Sequence, residues 1–426
     1  MGVKRWLLVV FFGELLLATA GALVLRQVFR EVGSEGTGEP LVALLTLQFL
    51  PFDLRALFLF AAGLIIFLYG CWRVLHVLLL PFPLRREPLV ELIYQKRSLA
   101  RGPRVVAIGG GTGLSTLLRG LKETTSNITA VVTVADDGGS SGKLRDELGI
   151  PPVGDIRNCI EALADTEPLM RRLLQYRFPQ DSSTPAGLSG HSFGNLLIAA
   201  MSAIEGDFEE GVRQSNRVLA VRGQVVPAAP VPLTLHAELA DGTTLEGQSR
   251  IAAARGIRRV WVTPATVSAS AEAVQAIAEA DLIVLGPGSL YTSLLPSLLL
   301  PELRAALQSA TAPRIYVTNV ATQVGETEGY TLSEHLAALA AHGAGDFIDI
   351  VLVNDNFGAR APAHYPAAPV RIDLPPGGGS PRLSTQDLVD DDNAHHHDPA
   401  KLAAALLRIH EQRMAMHGPA GVARTA

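Results

Sequence analysis

Short β-rich runs alternate with helical stretches from Arg104 onward, and this alternation constrains the fold more than any other feature of the chain. It is typical of a mostly parallel sheet that helices cover on both faces. We therefore predict a Rossmann-like α/β fold with a mostly parallel sheet. The runs predicted to form its clearest strands are residues 105–108, 128–134, 281–285, 314–318 and 348–353.

Two later stretches break this alternation. Residues 225–263 carry prolines, an Asp-Gly pair at 241–242 and alternating apolar residues, which together predict a small antiparallel excursion. Residues 376–426 are predicted to be a loose linker followed by a helix over 399–416. The linker contains three consecutive histidines at 395–397, and a metal site there is the less favoured alternative.

Two apolar runs, residues 6–25 and 56–80, set residues 1–100 apart from the α/β region at 101–375. Each run is long enough to cross a hydrocarbon core, so we predict two transmembrane helices and a juxtamembrane linker. Helices buried in a globular domain are the alternative, and the first run also resembles a cleavable signal peptide. Basic residues cluster after the second run, which predicts a membrane-anchored protein with its large carboxyl-terminal domain in the cytoplasm.

Charge and cysteine content exclude two classes of protein. With a net charge of −5, the chain has no general attraction for nucleic acid, whose binding proteins usually carry a basic face. The two cysteines, Cys71 and Cys159, lie in different regions and exclude a disulfide framework. Neither observation decides the oligomeric state, and a homo-oligomer stays open.

Five polar or glycine-rich loops carry the chemistry, and the first and fifth of them directly follow predicted strands. Residues 109–113 read GGGTG and residues 286–293 read GPGSLYTS, each between a strand and a helix. Glycines let a phosphate approach the backbone, and the amides and dipole of the helix N-terminus favour an anion. A purely structural tight turn is the alternative. The spacing of a Walker A loop is missing, which disfavours ATP hydrolysis of that type.

The other three loops add carboxylates, hydroxyls and amide side chains. DDGGSSGKLR at 136–145 offers oxygen ligands for a divalent cation, or hydrogen bonds to a ribose and its phosphates. GDIRNC at 154–159 and GHSFGN at 190–195 add polar groups at the starts of predicted helices. A helix cap or a structural histidine is the alternative for each. Because ligands of open α/β sheets bind outside the carboxyl ends of the strands, the five loops together predict one composite cleft.

Together the five motifs resemble the CofD/YvcK family over roughly residues 104–356. The resemblance implies a Rossmann-like core whose strand-end loops hold a nucleotide-containing small molecule. The residues that it implies for ligand binding are Gly110, Thr112, Gly113, Asp137, Gly139, Ser140, Arg157, Asn158, His191, Asn195, Gly288, Ser289 and Asn319.

The family has two branches with different implications. The transferase branch resembles magnesium-dependent 2-phospho-L-lactate transferases of deazaflavin coenzyme biosynthesis, and there Asp136, Asp137 and Asp155 would hold Mg²⁺. The other branch resembles gluconeogenesis factors, which bind UDP-sugars and support cell shape and wall synthesis under gluconeogenic growth. The segment 317–330, VTNVATQVGETEGY, resembles this second branch, which we favour. The residues identify no catalytic group and no certain cofactor, so whether a reaction is catalysed stays open.

Overall fold

The structure is a computed structural model. It describes residues 97–165, 168–181, 184–185, 187–358, 367–375 and 381–416, together with positions 18, 22, 51 and 54. By its contacts the chain divides into two compact units, Met1–Pro88 and Leu89–Ala426. Every described strand belongs to the second unit.

Twelve strands are described in the second unit. They are β1 (Val105–Gly109), β2 (Ile128–Val132), β3 (Gln224–Pro227), β4 (Thr234–Leu239), β5 (Thr244–Glu246), β6 (Ile257–Thr263), β7 (Leu282–Leu285), β8 (Arg314–Val317), β9 (Ile350–Asn354), β10 (Arg382–Gln386), β11 (Val389–Asp390) and β12 (Asn393–His397).

The helices mostly connect successive strands. They are α1 (Gly111–Leu121), α2 (Gly139–Leu148), α3 (Gly154–Leu163), α4 (Pro168–Gln175), α5 (Phe193–Glu205), α6 (Phe208–Val218), α7 (Gln248–Ala252), α8 (Ala271–Glu279), α9 (Leu295–Leu298), α10 (Pro301–Ser309), α11 (Leu332–Ala341) and α12 (Pro399–Met416). A π-helix, Leu290–Leu294, leads directly into α9.

A seven-stranded sheet forms the centre of the unit, in the order β10-β9-β8-β7-β1-β2-β3. Every adjacent pair in it is parallel. All residues of β1, β7 and β9 are buried. Because successive side chains of a strand point to opposite faces, this burial means that both faces of the sheet are covered. The predicted Rossmann-like α/β core is therefore present.

The strand order reverses between β1 and β7. From β1 the chain proceeds to β2 and β3 on one side, whereas β8, β9 and β10 follow β7 on the other side. Loops that leave the carboxyl ends of two such neighbours diverge and leave a crevice between them, which is where open α/β sheets bind ligands. The glycine turns at 109–113 and 286–289 are the loops at this point.

The predicted antiparallel excursion is also present, as a three-stranded sheet in the order β5-β4-β6. The first residues predicted for this excursion instead form β3, which pairs with β2 in the main sheet. Strands β10, β11 and β12 lie where the sequence suggested an irregular linker. Apart from Leu383 the residues of β10 are polar, and none of the five is fully buried, so hydropathy gave no strand signal there.

Among the residues that the structure describes, no helix is long and apolar enough to cross a membrane. This finding contradicts the two predicted transmembrane helices, and with them the predicted membrane-anchored localisation. The runs 6–25 and 56–80 lie almost wholly outside the described residues. Hydropathy alone carried the prediction, and an apolar run does not by itself establish a continuous spanning helix. For the described residues, the fold class is corrected to an α/β fold without transmembrane helices.

Candidate functional site

A cavity of about 460 Å³ lies at the carboxyl ends of β1, β7 and β8, where the strand order reverses. Its volume is in the range of sites for small molecules and cofactors. Six of the predicted ligand-binding residues line it, which are Gly110, Thr112, Gly113, Gly288, Ser289 and Asn319. The first and fifth loops of the sequence analysis thus form one cavity, whereas the sequence predicted a cleft shared by all five loops.

The first glycine turn joins β1 to α1 and packs against the turn after β7. A Cβ atom at Gly113 would lie 2.7 Å from the carbonyl oxygen of Pro287, so glycine is what lets the two backbones approach. A Cβ atom at Gly110 would collide with a carboxylate oxygen of Asp155. The N-cap residue of α1, Gly110, makes no side-chain cap, and Asp155 accepts from the amide of Gly111. The amides of Thr112 and Gly113, two residues that line the cavity, therefore meet it without a capping side chain.

The second glycine turn, after β7, is held by the segment that follows β8. The amide of Gly288 donates to Oδ1 of Asn319 at 3.1 Å, and the hydroxyl of Ser289 donates to Oε1 of Gln323 at 2.7 Å. Both acceptors belong to the segment 317–330 and also line the cavity. This segment therefore both positions the turn and forms part of the cavity wall.

Glu326, in the same segment, was not predicted as a site residue. It is 1% exposed and accepts hydrogen bonds from the amides of Tyr291 and Thr292 and from the hydroxyl of Thr292. Burial raises the pKa of Glu326 to about 7, although these hydrogen bonds act to lower it. Its carboxyl group thus lies at the start of the π-helix, directly behind the cavity wall.

We expect Glu326 to make the stability of the protein depend on pH. A folded-state pKa of about 7 against 4.5 means that the folded state binds the proton more tightly. The free energy of unfolding should then fall as the pH rises from about 4.5 to about 7, by about 3 kcal/mol. Chemical denaturation of the full chain from pH 5 to pH 8 measures this change. The Glu326→Gln variant should lose this part of the pH dependence. Equal pH dependence of the unfolding free energy in the variant and the wild type would contradict the raised pKa of Glu326.

Strand β12 contributes a wall of histidines that the sequence analysis assigned to a linker. His395, His396 and His397 all line the cavity, together with Asn393. The ring of His397 donates through Nε2 to the carbonyl oxygen of Thr318 at 3.1 Å, which ties β12 to the end of β8. Burial lowers the pKa of His397 to about 4, so this ring is neutral at neutral pH. The sequence signal for this wall was the run of three histidines shortly before the predicted helix.

A second group of predicted residues meets beside β2, and we call Ser140, His191, Ser192 and Asn195 the inner polar cluster. The hydroxyl of Ser140 accepts from Nδ2 of Asn195 at 3.0 Å and from the amide of Ser192 at 3.4 Å. Its own hydrogen is then directed to Nδ1 of His191, 3.1 Å away. Burial and the charge of Lys143 lower the pKa of His191, which agrees with this neutral, accepting ring.

Asp136 and Asp155 lie between the inner polar cluster and the cavity. Asp136 accepts from the amide of Gly138 at 2.9 Å. Asp155 accepts from the amide of Gly111 and thus touches the first glycine turn. Burial, and then the negative charge of Asp136, raise the pKa of Asp155 to about 6. The pair therefore places a carboxyl group with a raised pKa directly against the glycine turn.

The four remaining predicted residues lie away from the cavity, and they are Asp137, Gly139, Arg157 and Asn158. Both the amide and the hydroxyl of Ser249 donate to Asp137, at 2.8 and 2.7 Å. Arg157 donates to its neighbour Asn158 at 2.7 Å. Gly139 is exposed at the start of α2. None of these four is among the residues that line the cavity.

The acidic residues Asp136, Asp137 and Asp155 do not converge on one point. Within the part of the chain that the structure describes, no group of three or more His, Cys, Asp or Glu side chains is arranged to hold a metal ion. Asp136 and Asp155 are neighbours, whereas Asp137 is engaged by Ser249. A magnesium site built from Asp136, Asp137 and Asp155 stays a prediction of the transferase alternative.

Three buried polar atoms near this region have no hydrogen-bond partner among the described residues. They are Oγ1 of Thr133, Nε of Arg157 and Oδ1 of Asn195. Thr133 ends β2 and lies against Gly110, and Asn195 belongs to the inner polar cluster. Buried polar groups are almost always paired, so these atoms mark a place that water or a ligand completes.

Comparison with known proteins decides the family. A family model described as 2-phospho-L-lactate transferase CofD matches residues 105–377. The chain belongs to the CofD family. This CofD-family member is 47% identical over 310 residues to a protein named gluconeogenesis factor from Halalkalibacterium halodurans, covering 71% of the chain and 95% of that protein. A gluconeogenesis factor from Bacillus subtilis is 51% identical over 257 residues, which cover 60% of the chain and 80% of the relative.

A solved structure supports the same assignment. The crystal structure of a UPF0052-family protein from Bacillus halodurans matches this CofD-family member with a TM-score of 0.66 and 44% sequence identity. The match covers 72% of this chain and 99% of that chain. The resemblance inferred from the five motifs is thus confirmed, and the names of the two relatives agree with the branch that residues 317–330 favoured.

Proposed function

We propose that this CofD-family member is a gluconeogenesis factor that binds a UDP-sugar, or another nucleotide-containing small molecule, in the cavity between β1 and β7. Through that binding it regulates cell shape and wall synthesis under gluconeogenic growth. The observation that carries the proposal is the start of α1, where the amides of Thr112 and Gly113 meet the cavity between two glycine turns. Such amides and the helix dipole stabilise a phosphate.

The chemistry of the cavity lining supports an anionic ligand. The lining residues described are glycines, hydroxyl and amide side chains, small apolar residues and histidines, with no Asp or Glu among them. A diphosphate therefore meets no carboxylate in the lining. The hydroxyl, amide and imidazole groups offer hydrogen bonds to the sugar and the base.

Calorimetric titration of the full chain with UDP-N-acetylglucosamine tests this proposal. We expect saturable binding to the wild type. His396 lines the cavity and is exposed, so His396→Ala should weaken binding by about tenfold through loss of one ring contact, with little effect on folding. The matched control is His410→Ala on α12, because His410 does not line the cavity. Absence of binding heat, together with an unshifted melting temperature, would refute the proposal.

A second candidate function is magnesium-dependent transfer of a phospholactyl group. Asp155 favours it, because a largely buried carboxyl group with a raised pKa touches the first glycine turn. Incubation of the full chain with a nucleotide donor, a deazaflavin acceptor and Mg²⁺ should then form product, and Asp155→Asn should abolish it. No product, under conditions in which a transferase of known activity is active, would exclude this candidate.

A further inference from the structure

The two glycine turns look alike in sequence, yet their amides are occupied differently. After β7, Glu326 accepts from the amides of Tyr291 and Thr292, and Asn319 accepts from the amide of Gly288. Three donors that open this second turn and its π-helix, the amides of Gly288, Tyr291 and Thr292, are thus bound by the protein itself. The second turn therefore does not offer these amides to a phosphate.

The first turn keeps donors for a ligand. Asp155 accepts from the amide of Gly111, and the N-cap residue Gly110 has no side chain to bind the amides that follow. Among the described residues, the amides of Thr112 and Gly113 have no acceptor outside their helix. These are amides of the first helical turn, which have no partner within their own helix. We therefore place the amide site for a phosphate at the start of α1, since Glu326 already occupies two amides of the π-helix.

Packing alone does not explain why a carboxyl group is buried at position 326. Its side chain is 1% exposed, and no Lys or Arg among the described residues forms an ion pair with it. Burial of a carboxyl group without a cation is unfavourable unless its hydrogen bonds compensate. Those hydrogen bonds all go to the start of the π-helix, whose neighbours Ser289 and Ser293 line the cavity. The carboxyl group is thus placed where it fixes that wall.

We propose that Glu326 is a positioning residue, which holds the second glycine turn as a wall of the cavity and occupies two amides there, so that a phosphate binds to the amides of α1. The inference rests on the proposed function, since it concerns the same cavity. Glu326 lies behind the wall and acts through the backbone of Tyr291 and Thr292. Its removal should weaken ligand binding although it does not line the cavity.

Two variants of the full chain test the proposal by titration with UDP-N-acetylglucosamine. Glu326→Ala removes both acceptor oxygens, and we expect it to weaken binding by at least about tenfold. Glu326→Gln keeps one oxygen that can accept from both amides, so its affinity should return to within about threefold of the wild type. If the carboxyl group of Glu326 had no part in holding this wall, the alanine and glutamine variants would bind the ligand with equal affinity. The matched control is Glu328→Ala, which removes an exposed glutamate that pairs with Arg255 at 2.8 Å.

Hydrogen exchange in the segment 286–294, measured without ligand, gives an independent readout. We expect fast exchange in Glu326→Ala and wild-type protection in Glu326→Gln. Unchanged exchange in the alanine variant would overturn the inference whatever the ligand is, and so would a glutamine variant as impaired as the alanine variant. If the wild type fails to bind UDP-N-acetylglucosamine, the proposed function fails, while the exchange result still decides the role of Glu326.

Discussion

Replacing Gly113 with alanine is expected to abolish ligand binding in the cavity and to destabilise the fold. The new Cβ atom would lie 2.7 Å from the carbonyl oxygen of Pro287 and 2.9 Å from the amide nitrogen of Gly288. Neither backbone atom can move aside as a flexible side chain can, so the two glycine turns must separate. We expect a loss of about 1–3 kcal/mol in the free energy of unfolding and more than about tenfold in affinity.

The control for this change is Gly187→Ala. A Cβ atom at Gly187 would meet nothing within 4 Å, and its backbone does not adopt a left-handed conformation. Both variants are compared by urea denaturation and by titration with UDP-N-acetylglucosamine, each in the full chain. Wild-type affinity in Gly113→Ala would show that the contact between the turns does not shape the cavity.

Gly120→Ala should destabilise the protein although the position lies inside helix α1. Helix propensity alone predicts a gain of about 1 kcal/mol, because alanine restricts the unfolded chain more than glycine does. A Cβ atom here would instead overlap the carbonyl oxygen of Pro399, at the start of α12, and lie 3.0 Å from Cβ of Ala403. Overpacking costs about 1–3 kcal/mol and outweighs the propensity. The sign of the change thus reports whether α12 packs against α1.

Urea denaturation of the full chain measures this sign. Ligand affinity should fall as well, since α12 follows β12 directly and Asp398 caps its start through the amide of Lys401. Displacement of α12 therefore moves the histidine wall. A stabilised Gly120→Ala variant with unchanged affinity would mean that α12 does not pack there.

Much of the fold could be predicted because its signals are local in the sequence. The strands of the main sheet up to β9 are short apolar runs, and a glycine turn directly follows β1 and β7. Full burial of such strands removes the need for alternation, so hydropathy identifies them despite their length. The sequence also predicted that these two turns share a cleft, because parallel strands end at one edge of the sheet.

The site residues that were missed or misplaced depend on partners far away in the chain. Asp137 contacts Ser249, which lies 112 residues away, and no local pattern indicates that pairing. His397 reaches the carbonyl of Thr318 across 79 residues. Long-range packing, such as that of α12 on α1, determines which loop folds back over the sheet. The membrane prediction was wrong for a different reason, since it rested on the hydropathy of two runs that lie almost wholly outside the described residues.

The histidine wall has a consequence for the order in which the site is made. Residues 109–113 leave the ribosome well before residues 395–397 do. The parallel sheet and both glycine turns can form before β12 exists, since chains fold by units as they emerge. The cavity is closed only after β12 has been synthesised. A chain that stops before β12 would keep both glycine turns and still lack one side of the cavity, so ligand binding would select for molecules that include β12.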